Sequence, residues 1–219
     1  MFRAVFVCAC VLLLSAGLAA ATPGPAPNVS FRGEPGRVED SFGWTVAPAG
    51  DIDDDGHEDL IVGAPTNDLV AGFARRAYLF HGPVSGQIGL AQADAVISGL
   101  DFEELGWSAA AGDMNGGQLP DLLIGASQWN ASVGRAYVFY SPAVGSGTSS
   151  SADAIIEGVM FTDYLGTAVA VADINGDAIG DAIITAPHDP AEIAGPGLVY
   201  VFFGRVTGLH RAAAADVVV

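Results

Sequence analysis

The chain has 219 residues, 51% of them apolar and only 15% charged, with a net charge of −17. That length carries one domain or several small repeated units, and the composition is that of a folded, turn-rich β protein rather than a disordered one. All eight basic residues are Arg, so a basic patch for nucleic-acid phosphates is excluded, and an anionic membrane surface would repel the chain.

Residues 1–21 read as a secretory signal peptide. Met1-Phe2-Arg3 is a short positive segment, Ala4 to Leu14 is apolar but short for a membrane span, and Ala19-Ala20-Ala21 offers a small-residue cleavage site. Both cysteines, Cys8 and Cys10, lie in this leader. The mature chain is therefore expected to hold no disulfide, and bound cations are a candidate for the missing stabilisation. Residues 22–33 are a Pro-rich lead-in followed by Val29 to Gly33, which reads as a lone outer strand. Asn28-Val29-Ser30 and Asn130-Ala131-Ser132 match the N-glycosylation triplet.

Three units follow, at 34–99, 100–158 and 159–219, with a period of about sixty residues. Each opens on Phe or Leu before Gly: Phe42-Gly43, Leu105-Gly106, Leu165-Gly166. A short apolar run comes next, then an acidic loop: Asp51 to Asp59, Asp113 to Asp121, Asp173 to Asp181. A second apolar run ends in a small-residue turn, at Gly63-Ala64-Pro65, Gly125-Ala126-Ser127 and Thr185-Ala186-Pro187. The first loop Asp precedes that turn by twelve positions in every unit. A third, aromatic run covers Ala77 to Gly82, Ala136 to Ser141 and Val199 to Gly204. A fourth covers Ala93 to Gly99, Ala152 to Gly158 and Ala215 to Val219. Short β-branched and aromatic runs bounded by Gly, Pro, Asn and Asp predict strands, and no stretch sustains a helical period. The expected fold is all-β, with each unit a four-stranded antiparallel sheet and the units arranged as propeller blades.

Within the acidic loops, oxygen-bearing side chains fall at positions 1, 3 and 9, the spacing with which a short loop wraps a hard cation such as calcium. The first loop supplies Asp51, Asp53, Asp55 and Asp59, with the backbone carbonyl of His57 at position 7. The third supplies Asp173, Asn175, Asp177 and Asp181, with the carbonyl of Ile179, and has Ala178 where Gly is usual. The second keeps Asp113, Asn115 and Asp121, but Gly117 replaces the position-5 carboxylate, so weaker or no binding is expected there. A helix–loop–helix calcium site needs a Glu at position 12, where these loops have Val62, Ile124 and Ile184. Metal-free Asp/Asn/Gly turns are the remaining alternative.

Together, the Phe-Gly opening, the Asp-rich loop and the Gly-Ala-Pro turn resemble the FG-GAP repeats of the integrin α-subunit propeller. The first unit carries the pattern intact, and the resemblance spans about residues 29–219. It implies a partial propeller of three blades, an open arc forming the N-terminal part of a seven-bladed ring. It also implies calcium as the bound ion, a secreted or cell-surface location, and adhesion-like binding of an extracellular protein or glycan. The candidate ligand loops are Thr66 to Arg76, Gln128 to Gly134 and His188 to Gly197, opposite the cation loops. A non-catalytic module of a larger secreted hydrolase, phospholipase D-like, is the second reading. No catalytic site is expected: the four His do not pair, the mature chain lacks Cys, and neither a G-x-S-x-G elbow nor a phosphate-loop Lys occurs. Trp44 and Trp107 occupy equivalent repeat positions and read as packing residues, whereas Trp129 breaks the repeat and is a candidate partner contact.

Overall fold

The computed structural model describes residues 29–33, 41–65, 75–100, 103–142, 145–187 and 197–219. The expected leader, the lead-in to Asn28, and most of the first and third candidate ligand loops lie outside the described residues.

Strand β1 (Ser30–Arg32) precedes the first blade, which contains β2 (Thr45–Gly50), β3 (Asp59–Ala64), β4 (Arg76–Phe80), the short β5 (Gln87–Gly89) and β6 (Ala95–Ser98). The second blade contains β7 (Ser108–Gly112), β8 (Asp121–Ala126), one helical turn α1 (Trp129–Ser132), β9 (Arg135–Phe139), β10 (Gly147–Thr148) and β11 (Ala154–Glu157). The third contains β12 (Val169–Ala172), β13 (Asp181–Ala186), β14 (Leu198–Phe202), β15 (Gly208–Arg211) and β16 (Val217–Val218). Four strands of each blade pair antiparallel in the orders β2-β3-β4-β6, β7-β8-β9-β11 and β12-β13-β14-β16. The structure is a partial β-propeller.

The sheets do not stop at four strands. The link between the third and fourth strands of each blade reaches across to the preceding one: β10 pairs parallel with β6, and β15 pairs parallel with β11. Strand β5 pairs in the same way with β1. Strand β1 thus stands where the outer strand of a preceding blade would stand.

Period-2 alternation sends the two faces of each blade into different seams. Ile61, Leu79 and Ile97 of the first blade pack against Leu122, Ile124 and Phe139 of the second. Leu123, Val138 and Ile156 continue from the second blade against Ile184, Tyr200 and Phe202 of the third. Each such side chain, fully buried, contributes about 1.5–3 kcal/mol.

The Gly of the Gly-Ala-Pro turn has a spatial cause. A Cβ on Gly63 would collide with the carbonyl oxygen of Gly106 in the next blade, and one on Gly125 with that of Gly166. Hydroxyls reinforce both seams: Thr45 Oγ1 donates to the Trp107 carbonyl at 2.8 Å, and Ser108 Oγ to the Gly166 carbonyl at 2.8 Å. Buried Glu103 fastens the start of the second unit within that unit, accepting from Leu100 N, Tyr137 OH and Ser149 Oγ at 2.6–2.7 Å. Burial, together with this neighbouring carboxylate, pushes the Tyr137 hydroxyl pKa well up.

Candidate metal centre

All three acidic loops sit between the first and second strands of their blades and share one backbone path. The position-1 Asp accepts from backbone N–H groups inside its own loop. Asp51 takes Asp55 N and Gly56 N at 2.9 Å, Asp113 takes Gly117 N at 3.0 Å and Gln118 N at 2.7 Å, and Asp173 takes Ala178 N at 2.9 Å. This is Asx-turn chemistry, in which a short carboxylate replaces the missing strand partner. Each loop also enters the left-handed region twice, at positions 4 and 6: Asp54 (φ 63) and Gly56 (88), Gly116 (77) and Gln118 (75), Gly176 (83) and Ala178 (69). One glycine serves each loop, and the other left-handed position carries a side chain.

The position-9 Asp is a buried brace. Asp59 accepts Ile52 N and Gly82 N at 2.8 Å; Asp121 accepts Met114 N and Ser141 N at 2.8 Å; Asp181 accepts Ile174 N at 2.8 Å and Gly204 N at 2.9 Å. It fastens the loop to the end of the third strand. Burial above all, with Asp113 and Asp153 adding charge repulsion, pushes the Asp121 pKa up to about 6 against the lowering effect of its N–H donors.

Positions 3 and 5 distinguish the loops. In the first, the carboxylates of Asp51, Asp53 and Asp59 converge, with ligand atoms all within 4.8 Å of one another, and among the described residues this is the one group of three metal-capable side chains brought so close. Asp55 Oδ1 accepts His57 N at 2.9 Å, which orients the loop around position 7. In the third loop Asn175 Oδ1 accepts Asp177 N at 2.9 Å, and Asp177 Oδ1 accepts Ile179 N at 2.8 Å. In the second, Gly117 leaves position 5 empty of oxygen, and Asn115 turns its amide nitrogen to Asp121 Oδ1 at 2.9 Å. An all-oxygen, anionic donor set on a pre-folded loop fits a hard divalent ion, and the first loop fits it best.

Two features escaped sequence reasoning. His81 Nδ1 lies 2.9 Å from Asp53 Oδ2, so the third strand's end supports the first loop. Asp94, Asp153 and Asp216 each accept the N–H of the residue just after the third strand, from His81, Tyr140 and Phe203 at 2.8 Å. The Ala-Asp opening of every fourth run was the available signal. Trp129, a candidate partner contact, has the Arg135 guanidinium 3.3 Å from its ring centre, and Arg135 is in turn held by Glu157 at 2.7 Å. That indole face is engaged within the blade. The rings of Trp44 and Trp107 meet at a tilt of 49° with centres 4.7 Å apart, and Trp44 is more than half exposed.

The FG-GAP repeat family matches the chain twice, at residues 42–80 and 165–202. The family match passes over the second unit, which shares the topology but has Gly117 at position 5 of its loop. Human phosphatidylinositol-glycan-specific phospholipase D is 31% identical over 182 residues, covering 74% of this chain and 20% of that protein. Drosophila melanogaster integrin alpha-PS2 is 28% identical over 179 residues, covering 78% of this chain and 12% of that protein. Xenopus laevis integrin alpha-5 is 26% identical over 189 residues, covering 77% and 16%. The chain spans a fifth or less of the length of these relatives.

Proposed function

We propose that this is a calcium-stabilised propeller module of a secreted or cell-surface protein, without catalytic activity, that binds an extracellular protein or glycan. The convergence of Asp51, Asp53 and Asp59 supports the calcium part most directly. Asp51, Asp53, Asp55 and Asp59 would hold the ion with the His57 carbonyl, and the third loop would offer the corresponding set. The ion would offset repulsion among carboxylates that the fold holds together, so its role is structural.

Ligand recognition is assigned to the opposite face, where the connections between second and third strands emerge. The likeness to integrin α chains supports binding there. Thermal melting tests the metal. Calcium at about a hundredfold excess over its Kd stabilises by about 2.7 kcal/mol, and a chelator removes that gain. Asp53→Ala should cut the calcium response to what the third loop supplies, whereas Asn115→Ala in the second loop should leave it unchanged. A melting curve indifferent to calcium and chelator overturns the proposal.

The second reading is a non-catalytic module of a larger hydrolase. The 31% identity to a phospholipase D favours it. A gene that encodes a catalytic domain in the same polypeptide supports this reading, and one that encodes a membrane anchor supports the first.

A further inference from the structure

The triplet Asn130-Ala131-Ser132 lies in the connection from β8 to β9, on the second blade, which has a blade packed on either side. Of the three asparagines among the described residues, Asn115 and Asn175 have their amide nitrogens bound to Asp121 and Asp177 at 2.9 and 3.0 Å. Neither has a hydroxyl residue two positions on. Asn130 is exposed, its side-chain amide has no partner among the described residues, and Ser132 follows at the spacing of an N-glycosylation acceptor. Its backbone is held. Asn130 (φ 48) and Ser132 (φ 70) take left-handed dihedrals, which Asn tolerates better than most residues. Val133 N and Gly134 N close the turn onto the Asn130 and Trp129 carbonyls at 3.4 and 3.1 Å, and Arg135 covers the Trp129 ring.

The neighbouring turn is apolar and open to solvent. Tyr164 N donates to the Ser132 carbonyl at 2.8 Å and Gly158 N to the Gly134 carbonyl at 3.0 Å, so residues 158–164 are fastened beside the triplet at both ends. Between these ties Val159, Met160 and Phe161 are 41%, 47% and 66% exposed. Their backbone is pinned by buried Asp163, whose Oδ2 accepts Val159 N at 2.6 Å and Met160 N at 2.9 Å. Three consecutive apolar side chains held in water favour association unless something covers them.

We infer that Asn130 carries an N-linked oligosaccharide and that this glycan covers the apolar turn at 159–161. A bulky, hydrated saccharide shields apolar surface that the chain itself leaves open. In the transfer, the Asn130 amide nitrogen loses a proton to solvent and bonds C1 of a lipid-linked oligosaccharide diphosphate. The C1–O bond breaks, the lipid diphosphate leaves with the bonding pair, and nothing is oxidised or reduced. The inference rests on the extracellular part of the proposed function, because that donor is met along the secretory route. It takes the loop from Gln128 to Gly134 out of contact with a protein ligand.

The full chain secreted by cultured insect cells tests this. Peptide-N-glycosidase in heavy-oxygen water should label the peptide that holds Asn130, and Asn130→Asp and Ser132→Ala should each abolish that label. The enzyme-treated chain should bind more of a dye for apolar surface than the untreated chain, and Phe161→Ser should remove the difference. A chain recovered from the medium with Asn130 unmodified overturns the inference and leaves the extracellular reading intact, whereas a chain retained in the cytosol overturns both. Dye binding unchanged by removal of the glycan, or a difference that survives Phe161→Ser, overturns the shielding.

Discussion

The first and second acidic loops follow the same backbone path with different side chains, and the difference separates two tasks. Both are shaped by the position-1 Asx turn and fastened by the buried position-9 carboxylate. The first adds carboxylates at positions 3 and 5. The second has Gly117 at position 5 and turns the Asn115 amide nitrogen onto Asp121. Loop shape thus resides in positions 1 and 9, and charge density for a cation in positions 3 and 5. The second loop keeps the fold of the first without that charge density, because a neutral N–H donor from Asn115 satisfies the Asp121 oxygen.

The largest effect should come from breaking what the two loops share. Asp59→Ala and Asp121→Ala each strand buried N–H donors, at a cost of about 3 kcal/mol. Urea denaturation in chelator should show similar losses for both. A loss confined to one of the two would mean that the position-9 brace is not a shared feature of both loops.

A pH titration sharpens the contrast from the second loop's side. The Asp121 pKa is about 6 in the fold, above the ordinary carboxylate value, so the folded state holds a proton that the unfolded state releases first. This contribution to stability is complete below pH about 4 and is lost as pH rises through about 6, a fall of roughly 2 kcal/mol in metal-free protein. Asp121→Asn should flatten that slope in denaturation curves taken across the range. An unchanged slope would mean that the carboxylate is already ionised at pH 4.

The smallest effect concerns backbone strain. Ala178 holds φ 69 where the first loop has Gly56. Ala178→Gly should stabilise the third loop by about 1 kcal/mol, and Gly56→Ala should destabilise the first by a similar amount. Melting in chelator reads both, and a destabilising Ala178→Gly would refute the strain assignment.

Much of this was legible in the sequence because it is written in side-chain type and spacing. The sixty-residue period, the twelve-position step from loop to turn, and the alternation of Ala136 to Ser141 are properties of single strands and hairpins. What was hidden arises between segments distant in the chain. Strand β10 is only Gly147 and Thr148, too short to show alternation, and it exists because β6 offers an open edge. Glu103 looks like a surface acid until Tyr137 and Ser149 meet it across forty residues of chain. The lone outer strand read at Val29 to Gly33 could be seen, but its partner β5 could not, since parallel pairing of three residues leaves no pattern.

The parallel pairing of β10 and β15 with the preceding blade puts the covalent repeat and the spatial sheet out of phase. Each copy of the sequence lends a few residues backward and borrows a few from ahead. A tandem gene duplication therefore copies lender and borrower together, so an array of such units can lengthen without inventing a new joint. Excising one unit does the reverse, because it severs a sheet on each side.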